Sequence, residues 1–266
     1  MGNRTIRWGI LSTAEIATKV VAGMHDAANA EVVAVASRSL EKARAWAADH
    51  NVPQAYGSYE ELLADDSIDA VYIPLPSALR NEWIKKAAQA GKHVYAEKPF
   101  ADGIEEAIQV CQEKGVQFMD GTMWLHSTRT HEIAQRIADG DIGTVRRVTA
   151  AFTFKYPDKA WLEGGNGRTD KTREPMGCFE TGLIRVDDLV GGQGRTGDFS
   201  AYEGSFTGSG HYFVGDVMGK DVEVKVEPCD HVVKLVEAYS AIMLSGKVER
   251  QWPARTLACH KVMAAL

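Results

Sequence analysis

The chain has 266 residues, 45% of them apolar and 25% charged, and a formal net charge of −6. It is long enough for one large core or two modest domains, with the balance of a globular protein. The acidic surplus argues against nucleic acid as a main partner, because gripping phosphate needs a basic surface, and no apolar run is long enough for a membrane span.

The opening residues, MGNRTIRWGILS, show no signal-peptide core or cleavage site. IRWGIL (6–11) is a short apolar run of the kind that forms a buried parallel strand. A helix follows, with Ile16, Val20, Val21 and Met24 on one face. EVVAVAS (31–37) is a second strand. The helix after it has Ser39 as its expected N-cap. Ser58 and Glu61 form a capping-box pair in SYEELLADD. IDAVYIPL (68–75) is a third strand, and the next helix stops at Gly91. KHVYAEK (92–98) is a fourth strand. Asp102 and Glu105 are expected to cap the helix IEEAIQVCQEKG, and VQFMDGT (116–122) is a fifth strand. Strands separated by helix-length segments predict a doubly wound α/β sheet.

Beyond residue 122 the pattern changes. HSTRTHEIAQRIADGD reads as a helix and GTVRRVTAAFTFKY (143–156) as a long strand. DVEVKVEP (221–228) alternates apolar and charged residues, as a half-exposed antiparallel strand does. Helices are expected over 231–246 and 253–266, while 157–220 gives no assignable element. The predicted organisation is an α/β domain over 1–122 and an α+β domain with a mostly antiparallel sheet over 123–266.

Cys111, Cys178, Cys229 and Cys259 are scattered, with no C-x-x-C pair. They read as reduced, buried thiols of a cytoplasmic protein rather than a disulfide framework or zinc site. The eight histidines offer no metal-ligand pair; His126 and His131 are five apart, off one helical face.

A doubly wound sheet binds ligands at the carboxyl ends of its strands. A dinucleotide fingerprint after the first strand would place glycine at 12, 14 and 17; this chain has Ser12, Ala14 and Ala17. All three are small enough to let a pyrophosphate near the backbone. Ser12 and Thr13 add hydroxyls, and the helix that begins near Ile16 offers free N–H groups. A tight turn that needs small residues would look the same. After the second strand, where an acidic residue would hold the ribose of NAD, the chain has Ser37-Arg38-Ser39. An arginine there suits the 2′-phosphate of NADP, so NADP is expected over NAD. A solvated loop arginine is the plainer alternative.

The fourth strand ends in Glu97-Lys98-Pro99 on the same sheet edge. A lysine overhanging the crevice can hydrogen-bond a substrate hydroxyl, steady an alkoxide or pass a proton, with Glu97 balancing its charge. The plainer reading is a surface ion pair at a strand end.

RWGILSTAEIA, VVAVASRSLEKARAWA, YGSYEELLADDSIDAVYIPLP, GKHVYAEKPF, MDGTMW and GDIGTVRRVTAAF occur in that order over 5–155. Together they resemble the glucose–fructose oxidoreductase / inositol dehydrogenase / rhizopine catabolism family, on the branch of dimeric dihydrodiol dehydrogenases and sugar 1-dehydrogenases. The closing stretch from Asp230 to Leu266 is similar to that family's last helices. The resemblance implies a Rossmann domain followed by a domain with a large antiparallel sheet. It implies hydride transfer between a nicotinamide and a sugar-like or cyclic polyol carbon. Lys98 matches the lysine beside the reacting hydroxyl, Glu97 its partner, Arg38 the 2′-phosphate position, and Pro74 and Pro76 the segment lining the cofactor crevice.

The chain departs from that pattern in three places. Pro76-Ser77-Ala78-Leu79-Arg80 stands where relatives show a PNxxH-like stretch, so arginine replaces histidine. Leu125-His126-Ser127 displaces the His-Pro that follows Met-Trp in relatives. In MGCFETGLIRVDDL (176–189), Glu180 or Thr181 stands where the resemblance implies a catalytic aspartate, Gly182 is kept, and Arg185 and Asp187 occupy the stretch where a histidine or tyrosine would follow. Glu180, and less readily Asp187 or His126, are the substrate-contact candidates. Between Gly182 and Asp230 the chain is some dozens of residues shorter than the resemblance implies, which sets the expected homo-oligomer in doubt. Two readings follow: an NADP-dependent oxidoreductase, or an NADP-holding sensor or partner-binding protein without turnover.

Overall fold

The computed structural model describes residues 4–141, 211–215 and 221–264. Strands β1 (Ile6–Leu11), β2 (Ala30–Ala36), β3 (Gln54–Tyr56), β4 (Ala70–Ile73), β5 (His93–Ala96) and β6 (Phe118–Asp120) form one parallel sheet in the order β3-β2-β1-β4-β5-β6. Helices α1 (Glu15–Asp26), α2 (Leu40–Asp49), α3 (Tyr59–Leu63), α4 (Ser77–Gln89) and α5 (Ile104–Glu113) connect them. This is the doubly wound Rossmann arrangement, with strand order reversing between β1 and β4. A 3₁₀ turn (Met123–His126) and α6 (Thr128–Asp139) follow. Strands β7 (His211–Gly215) and β8 (Asp221–Lys225) pair antiparallel, and α7 (His231–Leu244) and α8 (Gln251–Ala264) close the described chain.

The period of two along each strand sorts side chains into two cores. Ile6, Trp8 and Ile10 of β1, Tyr72 of β4 and Tyr95 of β5 join α1 and α7 on one face. Leu11, Val71, Ile73, Val94 and Ala96 join α3, α4 and α5 on the other. Gly9 points to that second face, where a Cβ would stand 2.7 Å from Leu62.

The last two helices belong to this sandwich. Tyr239 of α7 is fully buried, its ring centroid 5.6 Å from that of Trp8. Its hydroxyl lies 2.6 Å from the carbonyl oxygens of both Val94 and Gln117. The Gln117 side chain donates to the Glu249 carbonyl at 3.1 Å and accepts from the Glu249 N–H at 2.7 Å, binding the α7–α8 connection to the β6 edge.

Ser39 and Ser58 cap α2 and α3 as expected, accepting from the Lys42 and Glu61 N–H groups. Gly91 ends α4 with φ +73°. Three expectations are corrected. The sheet has a sixth strand, β3, absent from the sequence reading. Helix α5 is entered through Gly103 at φ +86° with no side-chain cap, so Asp102 does not cap it. Cys111 is buried, but Cys229 is only half-buried and Cys259 is exposed. The strand expected over 143–156 lies outside the described residues. Among the described residues no helix is long and apolar enough to cross a membrane.

Candidate functional site

Register places the candidate residues in one row. Ala36 is opposite Leu11, Ile10 opposite Tyr72, Ile73 opposite Ala96, and Ala96 opposite Asp120. One residue further on, Ser37, Ser12, Pro74, Glu97 and Gly121 stand side by side along the carboxyl edge. Adjacent strands are about 4.8 Å apart, so Ser37 and Glu97 are roughly 14 Å apart.

At the β1 position Ser12 adopts φ +140°, a backbone state that favours glycine and that the fingerprint fills with glycine. Ala14 is the N-cap of α1 and makes no side-chain capping bond. Glu15, Ile16 and Ala17 then begin the helix, and Ala17 is fully buried. The first N–H groups of α1 therefore face the crevice between β1 and β4. Thr13 is half-buried and Arg38 exposed, while Ser37 is buried and accepts from the Ser39 N–H at 3.4 Å.

Tyr59, which the sequence reading passed over within the capping box, joins this end. Burial raises its phenol's pKa, while Arg38 nearby and a hydrogen bond with Ser12 oppose that rise. The first, second and third crossovers thus meet at one spot. The clue in the sequence was an aromatic directly after the cap, where a solvated first turn would carry a polar residue.

At the β5 end Glu97 is 6% exposed. The Tyr72 hydroxyl donates to its Oε1 at 2.9 Å. Burial drives the Glu97 pKa up, and Lys98, the Tyr72 bond and Arg80 act against it. Gly121 makes the seat for this carboxyl: a Cβ there would lie 2.9 Å from Oε1, 3.0 Å from Oε2 and 3.1 Å from Cδ. Lys98 is exposed and leads into a cis Lys98–Pro99 bond. It lines a cavity of about 230 Å³ with Phe100, Asp120, Thr122, Thr256 and His260, so α8 supplies one wall. Thr256 donates to Asp120 Oδ2, and the Thr122 N–H donates to Oδ1 at 2.8 Å, which fixes that carboxylate.

Pro74 is buried and Pro76 is the N-cap of α4. His126 is 4% exposed and stacks on Trp252 of α8 at 4.7 Å. Burial, with His131 and Arg255 nearby, lowers its pKa to about 4, against the pull of Asp120. Glu180 and Asp187 lie outside the described residues. Among the described residues no group of three or more His, Cys, Asp or Glu side chains gathers as metal ligands do.

Residues 6–122 match the oxidoreductase family with an NAD-binding Rossmann fold, the glucose–fructose oxidoreductase / inositol dehydrogenase / rhizopine catabolism group. That match spans the strands and helices from β1 to β6. Among curated proteins, the chain is 43% identical over 156 residues to a D-xylose 1-dehydrogenase (NADP(+)) of Haloferax volcanii, covering 58% of this chain and 48% of that protein. It is 36% identical over 153 residues to a dTDP-3,4-didehydro-2,6-dideoxy-alpha-D-glucose 3-reductase of Actinomadura kijaniata, covering 56% and 46% of the two. The 3-ketoreductase KijD10 of the same organism, solved with NADP and TDP-benzene, superposes with a TM-score of 0.73 at 20% identity, over 99% of this chain and 97% of that one. That likeness shows the fold. The chain spans about half the length of the relatives it matches in sequence.

Proposed function

We propose that the chain is an NADP-dependent oxidoreductase acting on a CH–OH or carbonyl carbon of a sugar-like or cyclic polyol substrate. The observation that carries this reading is the edge row itself, with Arg38 at one end and Lys98, above a buried carboxyl, at the other. The site residues fit a dinucleotide. The uncapped N-terminus of α1 would receive the pyrophosphate, with Ser12 and Thr13 donating beside it. Ser37, Arg38 and the first turn of α2 would take the 2′-phosphate. Pro74 and Pro76 would border the nicotinamide.

When bound, the nicotinamide supplies the hydride donor or acceptor. Lys98 donates a hydrogen bond to the substrate oxygen. When a carbonyl is reduced it delivers a proton to the oxygen as the carbon receives the hydride, and when the alcohol is oxidised the same amine takes the hydroxyl proton back. Glu97 balances that charge from below. Glu180, with the residues after 122, would contribute substrate contacts. The relatives named above are a xylose dehydrogenase and a sugar-nucleotide reductase, which supports a sugar-like substrate. The unpaired Cys111, Cys229 and Cys259 support a reducing, cytoplasmic setting.

Titration with NADPH and NADH, followed by nicotinamide fluorescence, comes first, with a sugar and diol screen after it. NADPH should bind the tighter, and Arg38→Ala should erase most of that preference. Lys98→Met should lose about 10²- to 10⁴-fold in kcat while NADPH affinity stays within about threefold. Failure to bind either nucleotide would overturn the reading, as would full turnover in Lys98→Met. Tight NADPH binding with no turnover across the screen would favour the sensor instead.

A further inference from the structure

Arg80, on the first turn of α4, is 3% exposed. Arginine is almost never buried so deeply without partners, so the partners say what it does. Its guanidinium donates through Nη1 to the Pro99 carbonyl and through Nη2 to the Leu75 carbonyl. It lies 5.8 Å over the Phe100 ring. Leu75 sits between Pro74 and Pro76 in the turn after β4, and Pro99 follows Lys98 in the turn after β5. One planar group therefore bridges two neighbouring turns of the crevice floor. The next residue extends the grip: Asn81 donates to the carbonyls of Ala101, at 3.3 Å, and Asp102, at 2.9 Å.

The same guanidinium acts electrostatically on Glu97. That carboxyl also faces Tyr72 from β4, Tyr95 from its own strand and Lys98 next in the chain, with Asp120 of β6 acting on Tyr95. We propose that Arg80 is the positioning residue of this site: it fixes the Lys98–Pro99 turn against the turn after β4 and, beside Lys98, adds a second positive charge near the buried Glu97. Arginine suits both tasks. Its fork reaches two carbonyls in fixed geometry, and it keeps its charge at any working pH. A histidine at this position, as the family resemblance leads one to expect, has neither the second arm nor the permanent charge. A lysine's reach is set by the backbone that carries it. Misplacing a catalytic group by about 1 Å costs on the order of 10²-fold in rate.

The kinetic part of this proposal rests on the oxidoreductase reading; the electrostatic part does not. The test uses Arg80→Gln and Arg80→Lys in the full chain. The Glu97 carboxyl is followed by carbon NMR of glutamate-labelled protein, assigned with Glu97→Gln. Arg80→Gln removes a positive charge that acts on Glu97, so the Glu97 titration should move to higher pH. In Arg80→Lys it should stay near that of the parent. Arg80→Lys keeps the charge but loses the fork, so its kcat should fall about 10- to 100-fold with nucleotide KM within about threefold. The acid limb of the Arg80→Gln kcat profile should move with the carboxyl. An unmoved Glu97 titration in folded Arg80→Gln would overturn the proposal, as would parental kcat in Arg80→Lys. Should Arg80→Gln fail to fold, the kcat of Arg80→Lys decides. Should the parent turn over no sugar or polyol, the oxidoreductase reading falls and the Glu97 titration alone judges Arg80.

Discussion

Gly121→Ala tests the buried carboxyl most directly. The new methyl would lie 2.9–3.1 Å from three atoms of Glu97, where ordinary contact begins at 3.4 Å. The carboxyl must retreat by up to about half an ångström. It has little room, being 6% exposed and held by Tyr72 at 2.9 Å. Overpacking of this kind costs about 1–3 kcal/mol, and a charge-assisted hydrogen bond that is broken or bent adds roughly 1–2. The sum is about 2–5 kcal/mol, or a Tm lower by roughly 4–20 °C for a chain of this size. Calorimetry of Gly121→Ala beside Gly91→Ala isolates the clash. Gly91 also needs a glycine, at φ +73°, but nothing lies within 4 Å of its would-be Cβ, so only the backbone cost of about 1 kcal/mol applies there. Adding Glu97→Ala to Gly121→Ala should recover at least about 1 kcal/mol relative to the sum of the single changes. Equal melting of the two glycine variants, or strict additivity in the double variant, would refute the seat described for Glu97.

Acid should destabilise the fold partly through His126. Its pKa is about 4 in the fold and 6.5 for an ordinary histidine, so the unfolded chain binds the extra proton between those values. The stabilisation is complete above pH 6.5 and is lost as pH falls towards 4, to a total of about 3 kcal/mol. Urea unfolding at pH 7 and pH 4.5 should show His126→Phe removing roughly 2–3 kcal/mol of the difference between the two conditions. Gly23→Ala pits helix propensity against packing. Alanine gains up to about 1 kcal/mol in a helix interior, but its Cβ would stand 2.6 Å from Val232 Cγ1 of α7. A net loss of about 1–2 kcal/mol is expected, with partial rescue when Val232→Ala is added, both read by urea unfolding.

The alternation of strand and helix was legible because each buried strand is an apolar run bounded by helix signals. β3 was not, since Gln54–Tyr56 is too short to show a period and becomes a strand only by pairing with β2. The entry to α5 was misread because acidic residues near a helix start look like caps, whereas a left-handed glycine made the turn here. The edge row was legible from strand order and motif: Glu97 lies on it, and Arg38 and Lys98 follow Ser37 and Glu97 by one residue. Tyr59 and Arg80 were harder. The sequence marks Arg80 only as a departure from a family pattern, and its work depends on two carbonyls contributed by different turns. Backbone acceptors leave no trace in residue identity. The substrate-facing candidate Glu180 lies beyond the described residues, in the part of the chain with the weakest periodic signal.

Tyr239 has a consequence for how the molecule is made. A ribosome releases β1 to β6 long before residues 231–264 exist, and domains tend to fold as they emerge. Here Trp8 and Tyr95 stay without the α7 cover they have in the finished fold until that helix is synthesised, because Tyr239 packs on Trp8 and reaches the Val94 carbonyl. The partner groups are 145 residues apart in the chain. The nascent sheet therefore waits with an aromatic face open. A truncation before α7 should be bound by hydrophobic-surface chaperones, even though every residue of the sheet's carboxyl edge has already been made.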